Sequence, residues 1–296
     1  MLPPIIIFAF NRPDKLAGLI DSLRRNKGVE QHEIFVFIDG PRNENDRPKI
    51  EECQRLAAAL TQNVSVASTN QGLAKSVIKG VSEIVNRFGN VIVLEDDLIL
   101  HPLFLSYMRQ GLENFKNDPR VLSVCGFGLN ITPPKGYSHD IYLSTRSSSW
   151  GWATWSDRWN KIDWDVKDFS LLQQSSSLRK EFNSSGSDMY AMLKNYMEGK
   201  NNSWAIRFCF HQFRNHLYSV HPFKSLVINN GYGAEASNCR QTYSRFKIEQ
   251  LPADSAEILF TDPQELLPDR RIDRQLRRYH SIPIRIYSKI RALLHV

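Results

Sequence analysis

The segment Asn90-Val-Ile-Val-Leu-Glu-Asp-Asp-Leu-Ile-Leu100 constrains this chain more than any other. Val91–Leu94 is an unbroken, largely β-branched apolar run, the pattern of a strand covered on both faces. Three carboxylates follow at once, Glu95, Asp96 and Asp97, and the apolar run then resumes. Burying them unpaired costs several kcal/mol per charge, so they must emerge at the strand's end or find cations. A carboxylate cluster at the C-terminal end of an interior strand can hold a divalent metal by oxygen ligands, and through it a diphosphate. The plainer reading of such a triplet is a solvated strand end with a salt bridge.

Upstream of the triplet, strand and helix patterns alternate. Ile5–Phe10 reads as a strand and Pro13–Arg25 as a helix with Leu16, Leu19, Ile20 and Leu23 on one face. A strand at Glu33–Ile38, a polar loop at Gly40–Arg47 and a helix ending near Leu60 follow. A short strand around Val64–Ala67 then leads to a helix over Leu73–Arg87. This βαβαβαβ order predicts an α/β fold with a mostly parallel sheet and a site at the C-terminal edge of its strands. Further on, Pro102–Lys116 reads as a helix, Val121–Val124 as a strand, and Ser147–Trp155 as a turn entering a helix that carries Trp159. Small and aromatic residues clustered as in Ser147-Ser-Ser-Trp-Gly-Trp152 suit the stacking of a sugar ring, or equally a buried tryptophan cluster.

With 42% hydrophobic and 11% aromatic residues over 296 positions, wholesale disorder is excluded and a full core is affordable. No apolar stretch approaches the ~20 residues of a membrane span. Ile5–Phe10 is too short for a signal-peptide core and lacks a basic flank. Cys53, Cys125, Cys209 and Cys239 are scattered without a Cys-x-x-Cys pair, which predicts reduced thiols and a cytoplasmic location.

The net charge of +7 lies entirely in the tail, where eight Lys/Arg from Arg270 onward face only Asp273. The remainder is neutral, which argues against a nucleic-acid partner. In the tail, Ile272, Leu276 and Tyr279, then Ile286, Ile290, Leu293 and Leu294, recur every three or four residues, with Pro283 between the two groups. A basic amphipathic end fits contact with an anionic membrane surface, or a helix packed on the body with its charges in water. On the first reading, a chain ending near Leu267 keeps its fold.

Four motifs fall in a telling order: Phe8-Ala-Phe-Asn-Arg-Pro13, Phe37-Ile-Asp-Gly-Pro41, Thr69-Asn-Gln-Gly-Leu-Ala-Lys75 and Leu94-Glu-Asp-Asp-Leu98. Together they resemble the nucleotide-binding half of GT-A glycosyltransferases, the family-2-like enzymes related to N-acetylglucosaminyltransferase I. The resemblance implies a nucleotide-sugar-binding half over residues 1–100, an acceptor-binding and catalytic half of mixed α/β structure over 101–268, and the basic tail over 269–296. It also implies that Asn11, Arg12, Asp39, Asn70 and Lys75 contact the nucleotide, with Glu95 and Asp96 near the ribose. Asp97 is then a direct ligand of Mn²⁺ or Mg²⁺, and Trp150, Trp152 and Trp204 line the acceptor side. Zinc is disfavoured, because no His/Cys cluster has ligand spacing.

Two positions depart from the family pattern. Where relatives place an acid before a tryptophan as catalytic base, this chain has Asn202-Ser-Trp204, and Asn202 cannot take up a proton. Asp188 is the nearest acid that could substitute, with Asp157 and Asp163 as alternatives. Within Gly231–Cys239, which looks like a closing loop, relatives often carry His as a metal ligand; this chain has Asn238. The expected function is metal-assisted transfer from a nucleotide sugar, a UDP-sugar, to a glycan or lipid-linked glycan in surface polysaccharide synthesis. A catalytically degenerate binding protein is the alternative. A sugar nucleotidyltransferase shares the architecture but needs a Gly-rich first loop that Phe10-Asn-Arg-Pro13 lacks.

Overall fold

The structure is a computed structural model that describes residues 2–231, 246, 248, 250–252 and 254–294. Its first half follows the expected alternation: β1 (Ile5–Ala9), α1 (Pro13–Arg24), β2 (Ile34–Ile38), α2 (Arg47–Ala58), β3 (Asn63–Val66), α3 (Leu73–Phe88) and β4 (Asn90–Glu95). A short β5 (Leu98–Leu100) and α4 (Phe104–Asn114) come next. The second half contributes β6 (Val121–Cys125), β7 (Ile141–Ser144) and β8 (Trp152–Trp155). Five helices follow, α5 (Ser156–Trp159), α6 (Phe169–Gln174), α7 (Ser176–Phe182), α8 (Met189–Met197) and α9 (Trp204–Arg214). The chain then forms β9 (Tyr218–Pro222), β10 (Val227–Asn229), α10 (Arg270–Tyr279) and α11 (Ile282–Leu294).

Eight strands form one sheet in the order β3-β2-β1-β4-β8-β6-β9-β7. The first four are parallel, β8 runs antiparallel between β4 and β6, and β10 pairs separately with β5. All five residues of β1 are buried because both sheet faces are covered. Ile5 and Ile7 meet the cluster holding Leu16, Leu19, Leu23 and Leu105. Ile6 and Phe8 face Val77, Val81, Trp204 and Phe208 on the other side.

Residues 152–155 are a strand, correcting the expected turn into a helix. The short Trp-Ala-Thr-Trp alternation sends Trp152 to one buried face and Ala153 and Trp155 to the other, a period-2 pattern. The helix that carries Trp159 begins only at Ser156. In the tail, Pro283 falls in the first turn of α11, where its missing N–H is not required. α10 is packed rather than free: Ile272 is buried with Phe127, Leu129, Tyr142 and Phe223, and Leu276 and Tyr279 pack beside them.

Candidate active site

The parallel register of β1 and β4 sets Phe8 beside Glu95, so the turn after β1 reaches the acidic triplet. Arg12, at the start of α1, pairs with Asp96 and places Nη1 3.0 Å from Asp97 Oδ2. Burial pushes the Asp96 carboxyl up to about 6 even though Arg12 opposes the shift. Glu95 is pushed up to about 8, chiefly by burial and then by the charges of Asp97 and Asp96. One guanidinium thus answers three crowded carboxylates.

A second wall comes from more than 130 residues away. Antiparallel pairing of β10 with β5 puts Asn229 opposite Leu98. The backbone N–H of Asn230 donates to the Asp97 carbonyl oxygen at 2.7 Å, and Asn229 Nδ2 donates to Asp97 Oδ1 at 3.5 Å. Asn229 Oδ1 in turn accepts from the N–H of Gly231 at 2.7 Å. A Cβ on Gly231 would run into the Asp97 carboxylate, so glycine is what permits this approach. Asn238 lies outside the described residues.

On the nucleotide side, Asp39 Oδ1 accepts from the N–H groups of Gly40 (2.9 Å) and Gln71 (2.8 Å). Its Oδ2 accepts from Asn70 Nδ2 (3.1 Å) and the N–H of Gly72 (2.9 Å). Asp39 and Asn70 therefore meet, with Asp39 clamping the loop that enters α3. Gly72 sits in that loop at φ 79°, which favours glycine. Asn11 Nδ2 donates at 2.6 Å to buried Asp46, which also accepts from Arg42 Nε and Nη2, each at 2.9 Å. These Arg42 bonds hold the Asp46 carboxyl well below the usual range. Arg42 also lies 4.8 Å from the Phe10 ring centroid, closing the turn after β1. Lys75 is exposed in the first turn of α3. Asn202 is exposed beside this loop, 3.6 Å from where a Cβ on Gly72 would lie.

The acceptor-side expectations need correction. Trp152 is 1% exposed and stacks on Trp159 and Trp204 at 5.7 and 5.0 Å, so it is core and presents no face to a ligand. Trp204 is buried in the same stack. Trp150 is half-buried, meets Phe127 and Phe246 edge-on at 4.5 and 5.7 Å, and lines a cavity of about 290 Å³. Hydroxyls from Ser144 to Ser149 and helix α10 supply other walls. Asp188 is not poised as a base: Arg146 Nη1 and Nη2 donate to its two oxygens at 2.8 and 3.3 Å. Burial works against the Asp188 charge, but Arg146 prevails and holds the carboxyl well below its ordinary value. A carboxylate so held does not take up a proton near neutral pH.

A family model described as "Glycosyl transferase family 2" matches residues 5–179, more than half of the chain. The chain belongs to glycosyl transferase family 2. Among solved structures, this family 2 chain is similar to the mannosyltransferase PcManGT from Pyrobaculum calidifontis in complex with GDP-Man and Mn²⁺. There the identity is 11%, with 53% of this chain and 46% of that one covered and a TM-score of 0.37. For GalNAc-T7 with UDP, GalNAc and Mn²⁺ the values are 13%, 55%, 37% and 0.41. For a UDP-glucose pyrophosphorylase complexed with UDP-glucose they are 10%, 75%, 90% and 0.38. The chain thus spans less than half the length of the two transferases. No curated protein sequence matches it.

Among the described residues of this glycosyltransferase, no three His, Cys, Asp or Glu side chains are grouped to hold a metal by themselves. The donor set nevertheless fits a hard divalent cation shared with a ligand: it is all oxygen, and Glu95 and Asp96 carry crowding that Arg12 alone does not relieve. Asp46, Arg146 and Asn229 escaped the sequence reading. Asp46 lies in a polar loop that gives no sign of burial, Asn229 depends on strand register, and Arg146 depends on the segment after β7 packing against the start of α8.

Proposed function

We propose that this family 2 glycosyltransferase moves a hexosyl or N-acetylhexosaminyl unit from a UDP-sugar to a glycan or lipid-linked glycan in surface polysaccharide synthesis. The proposal extends the resemblance to relatives of N-acetylglucosaminyltransferase I, and the site of action is the cytoplasm. The observation that carries it is the meeting of Arg12, Glu95–Asp97 and Asn229–Gly231 at one edge of the sheet. In this reading Asp97 holds Mn²⁺ or Mg²⁺, with Asn238 as a further ligand. The bound cation supplies charge neutralisation for the leaving diphosphate.

The chain's own residues do the positioning. Arg12 fixes the orientation of Asp96 and Asp97 and competes with a cation for them. Asp39 and Asn70 shape the nucleotide loop, the Asn11–Asp46–Arg42 cluster stiffens the turn beside it, and Lys75 adds positive charge. Trp150 offers the acceptor an apolar face.

A second reading is favoured by one specific observation. Asn202 stands where a base is needed, while Asp188 is committed to Arg146. A protein that binds donor and does not turn it over fits that state. Calorimetric titration with UDP, with and without Mn²⁺, followed by donor hydrolysis across a panel of nucleotide sugars, separates the two. Metal-dependent binding with turnover supports the transferase and binding without turnover the degenerate protein. Asp97→Ala should abolish the metal-dependent part; unchanged affinity in that variant, with and without metal, overturns the assignment.

A further inference from the structure

Helix α11 is packed inside out. Ser288 is buried, and Ile284, Arg285 and Arg291 are half-buried on the side turned to the body. The exposed side carries Ile282 (59% exposed), Ile286 (52%), Ile290 (49%) and Leu293 (78%). At about 100° per residue these four fall within a stripe of about 80°. Tyr287, 52% exposed, borders one edge, and Lys289 and Arg285 border the other. A helix held to its own body only by burial would turn these isoleucines inward, as α10 does with Ile272. Aliphatic stripes of this kind are seldom left to water in soluble chains.

We infer that α11 is an in-plane membrane anchor whose occupant is an anionic lipid bilayer. Charge complementarity selects it: the chain's entire net charge of +7 lies from Arg270 onward, on and beside this helix. An apolar stripe edged by Lys, Arg and Tyr suits the boundary between headgroups and acyl chains. No described helix is long and apolar enough to cross a membrane, so the contact is interfacial. The two tail helices thus divide the work. α10 walls the 290 Å³ cavity and belongs to the body. α11 meets the lipid and stays coupled to the cavity, because Arg285 Nη1 donates at 3.1 Å to Ser187, two residues after Ser185 on the cavity wall. The inference stands independently of the donor and of turnover.

Flotation of the full chain with phosphatidylglycerol–phosphatidylcholine vesicles, against pure phosphatidylcholine vesicles, tests it. The chain should float with the anionic vesicles at low salt and be released as salt rises. Ile286→Asn/Ile290→Asn should lower the partition coefficient about a hundredfold or more, and Lys289→Gln about fivefold, with UDP affinity unchanged. Failure of the wild-type chain to float overturns the inference. So does a dimer in sedimentation analysis that the Asn pair dissociates while vesicle binding is absent, because a second copy would then be the occupant.

Discussion

Replacing Asp39 with alanine removes one carboxylate that serves four donors, and the outcome tells a clamp from a base contact. Three of those donors are backbone N–H groups, of Gly40, Gln71 and Gly72, and the fourth is Asn70 Nδ2. Hydrogen bonds to a charged acceptor contribute about 1.5–3 kcal/mol each, so four of them sum to about 6–12 kcal/mol. The sum overstates the effect. Asn70 is exposed and Gln71 and Gly72 half-exposed, so water replaces the carboxylate at three donors, while Gly40 is buried and keeps the full penalty. The expected cost is about 3 kcal/mol, which lowers Tm by about 6 °C in a chain of this size without unfolding it. Scanning calorimetry should show that drop, and hydrogen exchange should show lost protection at Gln71 and Gly72. UDP affinity should fall because the loop is no longer held. If Tm and protection stay at wild-type values while UDP binding disappears, Asp39 acts by touching the nucleotide and the clamp argument fails.

Three further outcomes follow from the geometry. Asp188→Asn should leave half-buried Arg146 without its counter-charge and cost about 3 kcal/mol in denaturant unfolding; a collapse of donor turnover at unchanged stability would instead restore Asp188 as a base. Glu95 and Asp96 titrate near 8 and 6 when folded but near 4 when unfolded, so the folded chain holds more protons between those values. Stability should therefore fall as pH rises from about 4 to 8, Mg²⁺ or Mn²⁺ should offset the fall, and Glu95→Gln should flatten the pH profile of Tm; a flat wild-type profile contradicts this. Ending the chain near Leu267 should destabilise it, because Ile272 and Leu276 then leave the cluster around Phe127 and Phe223, whereas ending after Ser281 should leave Tm within a few degrees of wild type; equal melting of the two shortened chains would show that α10 is dispensable.

The parallel half was legible because its strands are buried on both faces and read as unbroken apolar runs, with helices of clear spacing between them. The encounter of Arg12 with the triplet, by contrast, needs the adjacency of β1 and β4, which the order of motifs along the chain does not give. Strands β7 to β10 hold three to five residues each, too few to declare a period. β8 was further disguised because its tryptophans suggested ligand stacking. The misassignments share one cause. Whether an acid is free or taken depends on its neighbours in space, and Arg146 lies 42 positions from Asp188. Trp152 looked like a binding residue only while the stack with Trp159 and Trp204 was unseen.

The position of β8 also limits what can be exchanged between members of the family. It is drawn from beyond residue 150, yet it pairs with β4, the strand that ends in the acidic triplet, and with β6 on its other side. A chimaera joined near residue 100, with the donor specificity of one parent and the acceptor specificity of another, would cut through a continuous ladder of hydrogen bonds. The seam would fall between Val93 and Trp152, within a few residues of the carboxylates that the graft is meant to preserve. The smallest unit that can be transplanted intact therefore carries β4 and β8 together.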